Sequence, residues 1–228
     1  MDTLSDLEGK RILVTGAAQG IGLSIVQRAL ELGARVAAVD LNENGLAAIE
    51  ADEDRILRIS GDVSAHAFAR QALARVVGAW GGVDCLANNA GVSRPAMIDK
   101  MTIEQWQKVL DVNLTGCFLF LQAVGSHLLE RARAGERGHG SIVNVSSDAG
   151  KRGSIGQINY ATAKAGLLGM TMSAAREWAK YEIRVNAVCF GVVETPMTET
   201  VRGEKFRETI LAQIPMGRWS QPEEASSA

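Results

Sequence analysis

Short apolar runs rich in β-branched residues alternate with longer amphipathic stretches along the chain. The first run, Arg11–Thr15, is followed by a stretch, Gly20–Leu32, whose apolar residues fall roughly on one side of a helix. Repetition of this strand–helix–strand pattern predicts βαβ crossovers and a parallel sheet. The predicted strands are Arg11–Thr15, Arg35–Asp40, Arg55–Ser60, Val83–Ala87, Ser141–Ser146 and Ile183–Val188. The predicted helices are Gly20–Leu32, Asn42–Ala51, Ser64–Trp80, Thr102–Arg133 and Gln157–Tyr181, with Ser64 and Thr102 as caps.

The predicted strands are apolar throughout, as expected when helices cover both faces of a sheet. No linker rich in Pro, Gly or Ser divides the chain, so we expect a single α/β domain over residues 1–228 with a doubly wound, Rossmann-like parallel sheet. Near the end, Ser220–Glu223 has the form of a helix start, with Ser220 as the N-cap. Such a sheet would return with one more strand, so we expect the final strand to be missing and the C-terminus to be truncated.

The formal net charge is −2. This balance argues against a nucleic-acid partner, because a nucleic-acid-binding face needs clustered Lys and Arg. No run reaches the ~18 consecutive apolar residues that a membrane helix needs. The start, Met1–Asp6, is acidic and lacks the basic and apolar regions of a secretory signal.

Cysteine and histidine usage limits the candidate chemistry further. The cysteines are odd in number and form no CxxC motif, which indicates a reducing, cytoplasmic compartment and core thiols rather than disulfides: Cys85, Cys117 and Cys189. The histidines lie outside any HExxH motif and apart from any cysteine pair, so no metal site is predicted: His66, His127 and His139.

A glycine-rich turn follows the first predicted strand, in the segment Thr15–Gly22. Gly16 permits a tight turn, Gly20 lets the backbone approach a pyrophosphate, and Gly22 lets the next helix lie close to the sheet. The N–H groups at the start of that helix attract a diphosphate. No Gly-Lys-Ser/Thr follows, so the turn is not a P-loop and is typical of dinucleotide binding.

Asp40 ends the second predicted strand, where a carboxylate can accept hydrogen bonds from the adenosine ribose hydroxyls and would repel a 2′-phosphate. Gln19, rather than an arginine, precedes Gly20, so NAD is favoured over NADP. Asp40 could also cap the helix that follows it, and the two roles are not exclusive. Asp62 and Val63, after the third strand, could hold the adenine, or Asp62 could simply turn the chain.

Tyr160 and Lys164 are four positions apart on a predicted helix and therefore share a face. An ammonium beside a phenol favours the phenolate, which can exchange a proton near neutral pH. Ser146 and Ser147 end the fifth strand, at the edge where doubly wound sheets bind ligands.

Together these residues resemble the classical short-chain dehydrogenases/reductases, from about residue 7 to the end. The motifs that carry the resemblance are Thr15–Gly22, Asp62–Val63, Asn88–Gly91, Val112–Asn113, Ser146–Ser147, Tyr160–Lys164 and Gly191–Thr195. The segment Ile214–Glu224 looks most like the 3-oxoacyl-(acyl carrier protein) reductase branch. One departure is Phe190 before Gly191, where the family usually has proline and where the ring could narrow the nicotinamide pocket.

The resemblance implies a role for each matching residue. Ser147 would hydrogen-bond the substrate oxygen, Tyr160 would be the acid or base, Lys164 would assist Tyr160 and hold the nicotinamide ribose, and Asn113 would hold a relay water. Asn89 and its neighbours would line the adenosine ribose, and Val193 and Thr195 would contact the carboxamide. The full set of implied cofactor-binding residues is Gly16, Gln19, Gly20, Ile21, Gly22, Asp40, Leu41, Asp62, Val63, Asn89, Ala90, Gly91, Tyr160, Lys164, Gly191, Val193 and Thr195.

The resemblance also implies a function. We expect an NAD-dependent cytoplasmic oxidoreductase that interconverts a secondary alcohol and a ketone, with a 3-oxoacyl thioester as the favoured substrate and a homotetramer or dimer as the assembly. The alternatives are a sugar, polyol or other alcohol dehydrogenase of the same mechanism, and a nucleotide-sensing protein without catalysis. Specificity would lie in Ser93–Ala96, Ser154–Gln157 and Pro196–Trp219.

Overall fold

The computed structural model of the protein describes residues 7–136 and 140–227. The acidic start at Met1–Asp6 and His139 lie outside these residues. Within them, six parallel strands form one sheet in the order β3-β2-β1-β4-β5-β6. The strands are β1 Arg11–Thr15, β2 Arg35–Asp40, β3 Ile56–Ser60, β4 Cys85–Asn88, β5 Ser141–Ser147 and β6 Arg184–Phe190. The predicted strands are confirmed, with ends shifted by one or two residues at β3, β4, β5 and β6.

The strand order reverses direction between β1 and β4, which creates the crevice where doubly wound sheets bind ligands. In the described part of the chain, β6 pairs with β5 and with no later strand. The helices are α1 Gly20–Glu31, α2 Glu43–Ala47, α3 Phe68–Trp80, α4 Ile103–Leu110, α5 Cys117–Arg133, α6 Ala149–Arg152, α7 Ile158–Trp178, α8 Glu199–Arg202, α9 Glu204–Leu211 and α10 Pro222–Ser226.

Two apolar clusters cover the two faces of the sheet. Alternate residues of β1 divide between them, because successive strand side chains point to opposite faces: Leu13 packs with residues of α3 and α5, whereas Ile12 and Val14 pack with residues of α1 and α2. The short helix α10 packs on α1, and Ser24 and Ser226 are hydrogen-bonded at 2.9 Å. The prediction of helices on both faces is confirmed.

The predicted long helix Thr102–Arg133 contains an irregularity. A capping box between Thr102 and Gln105 starts α4, as predicted for Thr102. A π-helical segment, Asp111–Gly116, then joins α4 to α5 and widens the helix at Asn113. By length and composition the stretch Ile103–Arg133 is the one span among the described residues that could cross a membrane, but 56% of its most apolar part is buried in the core.

Three predicted caps are wrong. The helix after β3 begins only at Phe68, and Ser64 does not cap it; instead the N–H and hydroxyl of Ser64 both donate to Asp62 Oδ1 at 2.9 and 2.6 Å. This hydrogen bonding confirms that Asp62 turns the chain. Asn42, not Asp40, caps α2 by accepting a 3.1 Å hydrogen bond from a backbone N–H.

The third correction concerns the C-terminal helix. Gln221 caps α10 through a capping box with Glu224. Ser220 instead forms a parallel bridge to Val193, with its N–H donating to the Val192 carbonyl at 3.2 Å. Ser220, which the sequence pattern predicts as the cap, is therefore paired through its backbone with the segment after β6. This pairing holds the chain before α10 close to the end of β6.

A buried ion cluster ties together the opposite, amino-terminal end of the sheet. Asp84 accepts hydrogen bonds from Arg11 at 2.7 and 2.9 Å and from Arg131 at 2.8 Å. Burial opposes ionisation of Asp84, but the hydrogen bonds from the two guanidinium groups outweigh it and hold the pKa of the carboxyl below its usual value. The cluster joins β1 to α5 far from the crevice.

Candidate active site

A cavity of about 390 Å³ lies at the carboxyl ends of the strands, beside the point where the strand order reverses. The structure brings most of the predicted site residues together there. The predicted residues that line the cavity are Gly16, Gln19, Gly20, Ile21, Asp40, Leu41, Asp62, Val63, Asn89, Ala90, Gly91, Ser147, Tyr160, Lys164, Gly191, Val193 and Thr195. Two predicted residues, Gly22 and Asn113, do not line it.

The glycine turn depends on glycine for two different reasons. Gly16 and Gly20 have φ of +68° and +56°, a backbone region that other residues rarely adopt. A Cβ on Gly16 would also lie 2.8 Å from the Ala90 Cα. Gly22 lies behind the turn, where a Cβ would collide with the Gly16 carbonyl. Gly22 thus lets α1 start close to the turn rather than facing a ligand.

Asp40 fastens the turn to the second strand. The N–H of Ala18 donates to Asp40 Oδ2 at 3.0 Å, and the N–H of Asn42 donates to Oδ1 at 2.9 Å. A carboxylate has about four acceptor sites, so these bonds leave acceptor capacity for hydroxyl groups in the cavity. Asp40 therefore shapes the turn and at the same time places a carboxyl group at one end of the cavity.

Asp62 occupies the same end of the cavity. The hydrogen bond from the Ser64 hydroxyl, with a further contribution from Lys108 at 3.6 Å, lowers the pKa of Asp62. The turn-forming role of Asp62 and its position in the cavity wall are thus compatible.

Tyr160 and Lys164 lie at the other end of the cavity, on the first turns of α7. The Lys164 ammonium is 5.7 Å from the centroid of the Tyr160 ring and donates a 2.7 Å hydrogen bond to the Val145 carbonyl. Ser147 ends β5, and its hydroxyl accepts a 3.2 Å hydrogen bond from the Ala149 N–H. The Ser146 hydroxyl donates to the Lys164 carbonyl at 2.7 Å and holds α7 against β5. The predicted proximity of Tyr160 and Lys164 in the crevice is confirmed.

Asn113 is fully buried in the π-helical segment rather than exposed on a helix surface. Its Oδ1 accepts a 2.8 Å hydrogen bond from the Val92 N–H, and its Nδ2 donates to the Val92 carbonyl at 2.9 Å. The side chain thus binds both backbone polar groups of Val92, in the loop after β4. The predicted relay water stays a prediction.

Several wall residues were missed by the sequence reasoning. Gly61, Val92 and Val145 adjoin the strand ends, so proximity to β3, β4 and β5 was an available signal. Lys108 comes from α4 and had no sequence signal, whereas Val112 belongs to the Val112–Asn113 motif but was not assigned to the site. Phe190, which departs from the family pattern, lines the cavity next to Gly191, and residues 94 and 196–198 come from the predicted specificity regions.

Neither metal nor thiol chemistry is evident in the described part of the chain. No group of three or more His, Cys, Asp or Glu side chains is close enough there to hold a metal ion. Burial raises the pKa of the Cys85 thiol to about 11 and also raises the pKa of Cys117. A thiol with a raised pKa is a poor nucleophile, which agrees with the prediction of core thiols for Cys85 and Cys117, whereas Cys189 is only half-buried and lies in neither apolar cluster.

The sequence model of the short chain dehydrogenase family matches residues 10–205. The chain belongs to this family. As a short-chain dehydrogenase it is an oxidoreductase that acts on CH–OH groups and uses a nicotinamide cofactor. The predicted family and the predicted Rossmann-like fold are confirmed.

Known proteins similar to this short-chain dehydrogenase include acyl thioester reductases. The chain is 40% identical over 227 residues to the 3-oxoacyl-(acyl-carrier-protein) reductase of Thermotoga maritima, covering 96% of this chain and 88% of that protein. It is 41% identical over 214 residues to the acetoacetyl-CoA reductase of Rhizobium meliloti, covering 94% of this chain and 86% of that protein. The 3-ketoacyl-(acyl-carrier-protein) reductase from Brucella melitensis complexed with NADH matches with a TM-score of 0.88 at 30% identity, covering 97% of this chain and 89% of that chain.

Proposed function

We propose that this short-chain dehydrogenase reduces 3-oxoacyl thioesters to 3-hydroxyacyl thioesters with NADH. The observation that carries the proposal is that Ser147, Tyr160 and Lys164 line one cavity together with the glycine turn and Asp40. The names of the similar reductases support the thioester as the substrate class.

Ser147, Tyr160 and Lys164, at one end of the cavity, each have a separate role in the reduction of a carbonyl. A nicotinamide held in this cavity would supply the hydride for the carbonyl carbon. Ser147 donates a hydrogen bond to the carbonyl oxygen, where negative charge develops. Tyr160 gives its phenolic proton to that oxygen, and the Lys164 ammonium, held by the Val145 carbonyl, stabilises the resulting phenolate. In the oxidation direction Tyr160 takes the proton back.

The residues at the other end fit a dinucleotide. Gly16 and Gly20 bring backbone to the cavity without a side chain, and the first turn of α1 offers N–H groups to a diphosphate. Asp40 would accept hydrogen bonds from the ribose hydroxyls and repel a 2′-phosphate, which is why we propose NAD over NADP. Val193 and Thr195 would contact the carboxamide.

A homo-oligomer in the cytoplasm is part of the proposal. An apolar groove lies outside the cavity and is lined by Ile98, Met101, Thr102, Ile103, Trp106 and Ile158. Ile98 and Ile103 are 72% and 68% exposed in the isolated chain, which favours a second copy covering them. The free thiols at Cys85, Cys117 and Cys189 fit a reducing compartment. Sedimentation of an Ile103→Glu variant as a smaller species than the parent supports this assembly, whereas identical sedimentation argues against it.

The test of the proposed function is the oxidation of NADH and NADPH with acetoacetyl-CoA, a ketose sugar and a cyclic ketone as the hydride acceptors. We expect the highest kcat/KM with NADH and the thioester, and we expect Tyr160→Phe to lower kcat by roughly 10²–10⁴-fold. Higher kcat/KM with the ketose would favour the sugar or polyol dehydrogenase alternative. Binding of NADH without turnover of any substrate would favour the nucleotide sensor.

A further inference from the structure

The side chain of Asn159, the residue before Tyr160, makes three hydrogen bonds while fully buried. Its Nδ2 donates to the Arg94 carbonyl at 3.0 Å and to the Gln105 carbonyl at 3.1 Å. Its Oδ1 accepts from the Tyr160 N–H at 2.8 Å. Both amide donors and the oxygen are therefore used, so this buried polar group is satisfied.

These bonds join the start of α7 to two other segments. Gln157, the N-cap residue of α7, makes no side-chain cap bond, so the first turn depends on other partners for its N–H groups. The Asn159 oxygen supplies such a partner at Tyr160, within the same turn that aims the phenol into the cavity. The geometry of this turn therefore depends on Asn159.

The other two bonds reach the cavity wall and α4. Arg94 lines the same cavity as Tyr160 and belongs to the loop 92–96 after β4. The loop is also held by Asn113 at Val92 and by a 2.9 Å bond from the Ala96 N–H to the Gly156 carbonyl. Gln105 lies in the first turn of α4. The Asn159 side-chain amide thus connects Tyr160, the loop 92–96 and α4.

We propose that Asn159 is a positioning residue that sets Tyr160 against the loop 92–96 and so aligns the phenol with the substrate carbonyl. This inference rests on the proposed function, in which Tyr160 is the proton donor. Asn159 does not touch the cavity and acts through its neighbours. A displacement of about 1 Å at a reacting group can cost on the order of a hundredfold in rate, so the loss of this amide should appear in kcat.

The experiment compares Asn159→Ala with Asn144→Ala in the full chain. Asn144 is an equally buried amide in β5 that accepts from Asn88 at 3.1 Å and donates to Thr171 at 2.9 Å, and neither hydrogen bond involves Tyr160 or the loop 92–96. We expect both variants to melt at lower temperature and, well below melting, to bind NADH within about twofold of the parent. With acetoacetyl-CoA, Asn159→Ala should lose at least about tenfold in kcat, whereas Asn144→Ala should stay within about threefold.

A second variant covers failure of Asn159→Ala to fold. Asn159→Asp keeps an acceptor for the Tyr160 N–H and places a negative charge at a helix start, which is favourable. It loses both donors to Arg94 and Gln105 and sets carboxylate oxygens against their carbonyls. We expect a lower kcat and a higher KM for the thioester with an unchanged Kd for NADH. Parental kcat and KM in a folded Asn159 variant overturn the inference.

Hydrogen exchange separates this inference from the proposed function. We expect Asn159→Ala, and not Asn144→Ala, to accelerate amide exchange in segments 92–96 and 158–162. Unchanged exchange in both segments overturns the inference even if no ketone is reduced. Full turnover by Tyr160→Phe overturns the proposed function instead, and the exchange result then still decides whether Asn159 holds the loop and α7 together.

Discussion

The Lys164 ammonium donates a 2.7 Å hydrogen bond to the carbonyl of Val145, two residues before Ser147 on β5. Lys164 is only 3% exposed, and the bond fixes its charge between the strand end and the Tyr160 ring. A lysine held by a backbone carbonyl in this way can act on a neighbouring phenol and on a ligand without first losing side-chain entropy.

Tyr160→Phe and Lys164→Met should therefore differ in cofactor binding. Tyr160→Phe removes only the phenolic hydroxyl, so we expect kcat to fall by roughly 10²–10⁴-fold with little change in the Kd for NADH. Lys164→Met also removes the ammonium that would hold the ribose and leaves the Val145 carbonyl without this donor, so both kcat and NADH affinity should fall. Steady-state kinetics and fluorescence titration measure the two quantities. Parental NADH affinity in Lys164→Met would contradict the role of the ammonium.

The charge of Asp40 should decide the choice of dinucleotide. In Asp40→Ser the ribose loses a charged acceptor and a 2′-phosphate loses a repulsive neighbour, so we expect kcat/KM for NADH to fall by about 10- to 100-fold relative to NADPH. Adding Gln19→Arg should raise NADPH use further. Because Asp40 also accepts from the Ala18 N–H, melting temperature serves as the control for damage to the turn. An unchanged NADH/NADPH ratio contradicts the proposed NAD preference.

The glycine turn should tolerate no side chain at Gly22. In Gly22→Ala the new methyl group collides with the Gly16 carbonyl, so α1 must move away from the turn. We expect lower stability and loss of NADH binding, measured by thermal melting and titration. Gly78→Ala is the matched control, because Gly78 lies on α3 and a methyl group there would meet nothing within 4 Å apart from its chain neighbours and the nearby backbone of its own helix. That variant should gain about 0.5–1 kcal/mol in the free energy of unfolding.

The Asp84 cluster should make the free energy of unfolding depend on pH in the acid range. The pKa of Asp84 is lower in the folded chain than its ordinary value of 3.8, so its contribution is complete above that value and is lost as the pH falls below it. Asp84→Asn should lower the free energy of unfolding at pH 7 by about 3–5 kcal/mol. When the pH is lowered from about 5 to 2, the free energy of unfolding of Asp84→Asn should also fall less than that of the parent.

An exposed ion pair supplies the control for this effect. Arg28 and Glu31 lie 3.1 Å apart on the surface of α1, and Glu31→Gln should change the free energy of unfolding by less than about 1 kcal/mol. Urea unfolding of the parent and both variants at several pH values measures the difference. Equal effects of Asp84→Asn and Glu31→Gln at pH 7 would show that burial adds nothing to the Asp84 cluster.

Helix starts show where local patterns mislead. Ser64 and Ser220 have the residue type of a cap, yet Asp62 binds Ser64 and a bridge to Val193 engages Ser220. In the first case the hydroxyl donates to a different side chain, and in the second the backbone of the predicted cap residue pairs with the segment after β6. Thr102, whose partner Gln105 lies in the same turn, caps α4 as predicted.

The sequence alone determined the succession of strands and helices along the chain, the glycine turn and the proximity of Tyr160 to Lys164. Each strand, helix or turn in this set is specified by residues that are close together in the sequence. Only the tertiary structure decided the surroundings of Asn113, Asn159 and Asp84. Their partners Val92, Arg94 and Arg131 are remote along the chain and meet them only when the sheet and helices pack. A buried polar side chain must find a partner somewhere, but no local pattern specifies which distant backbone or guanidinium group will supply it.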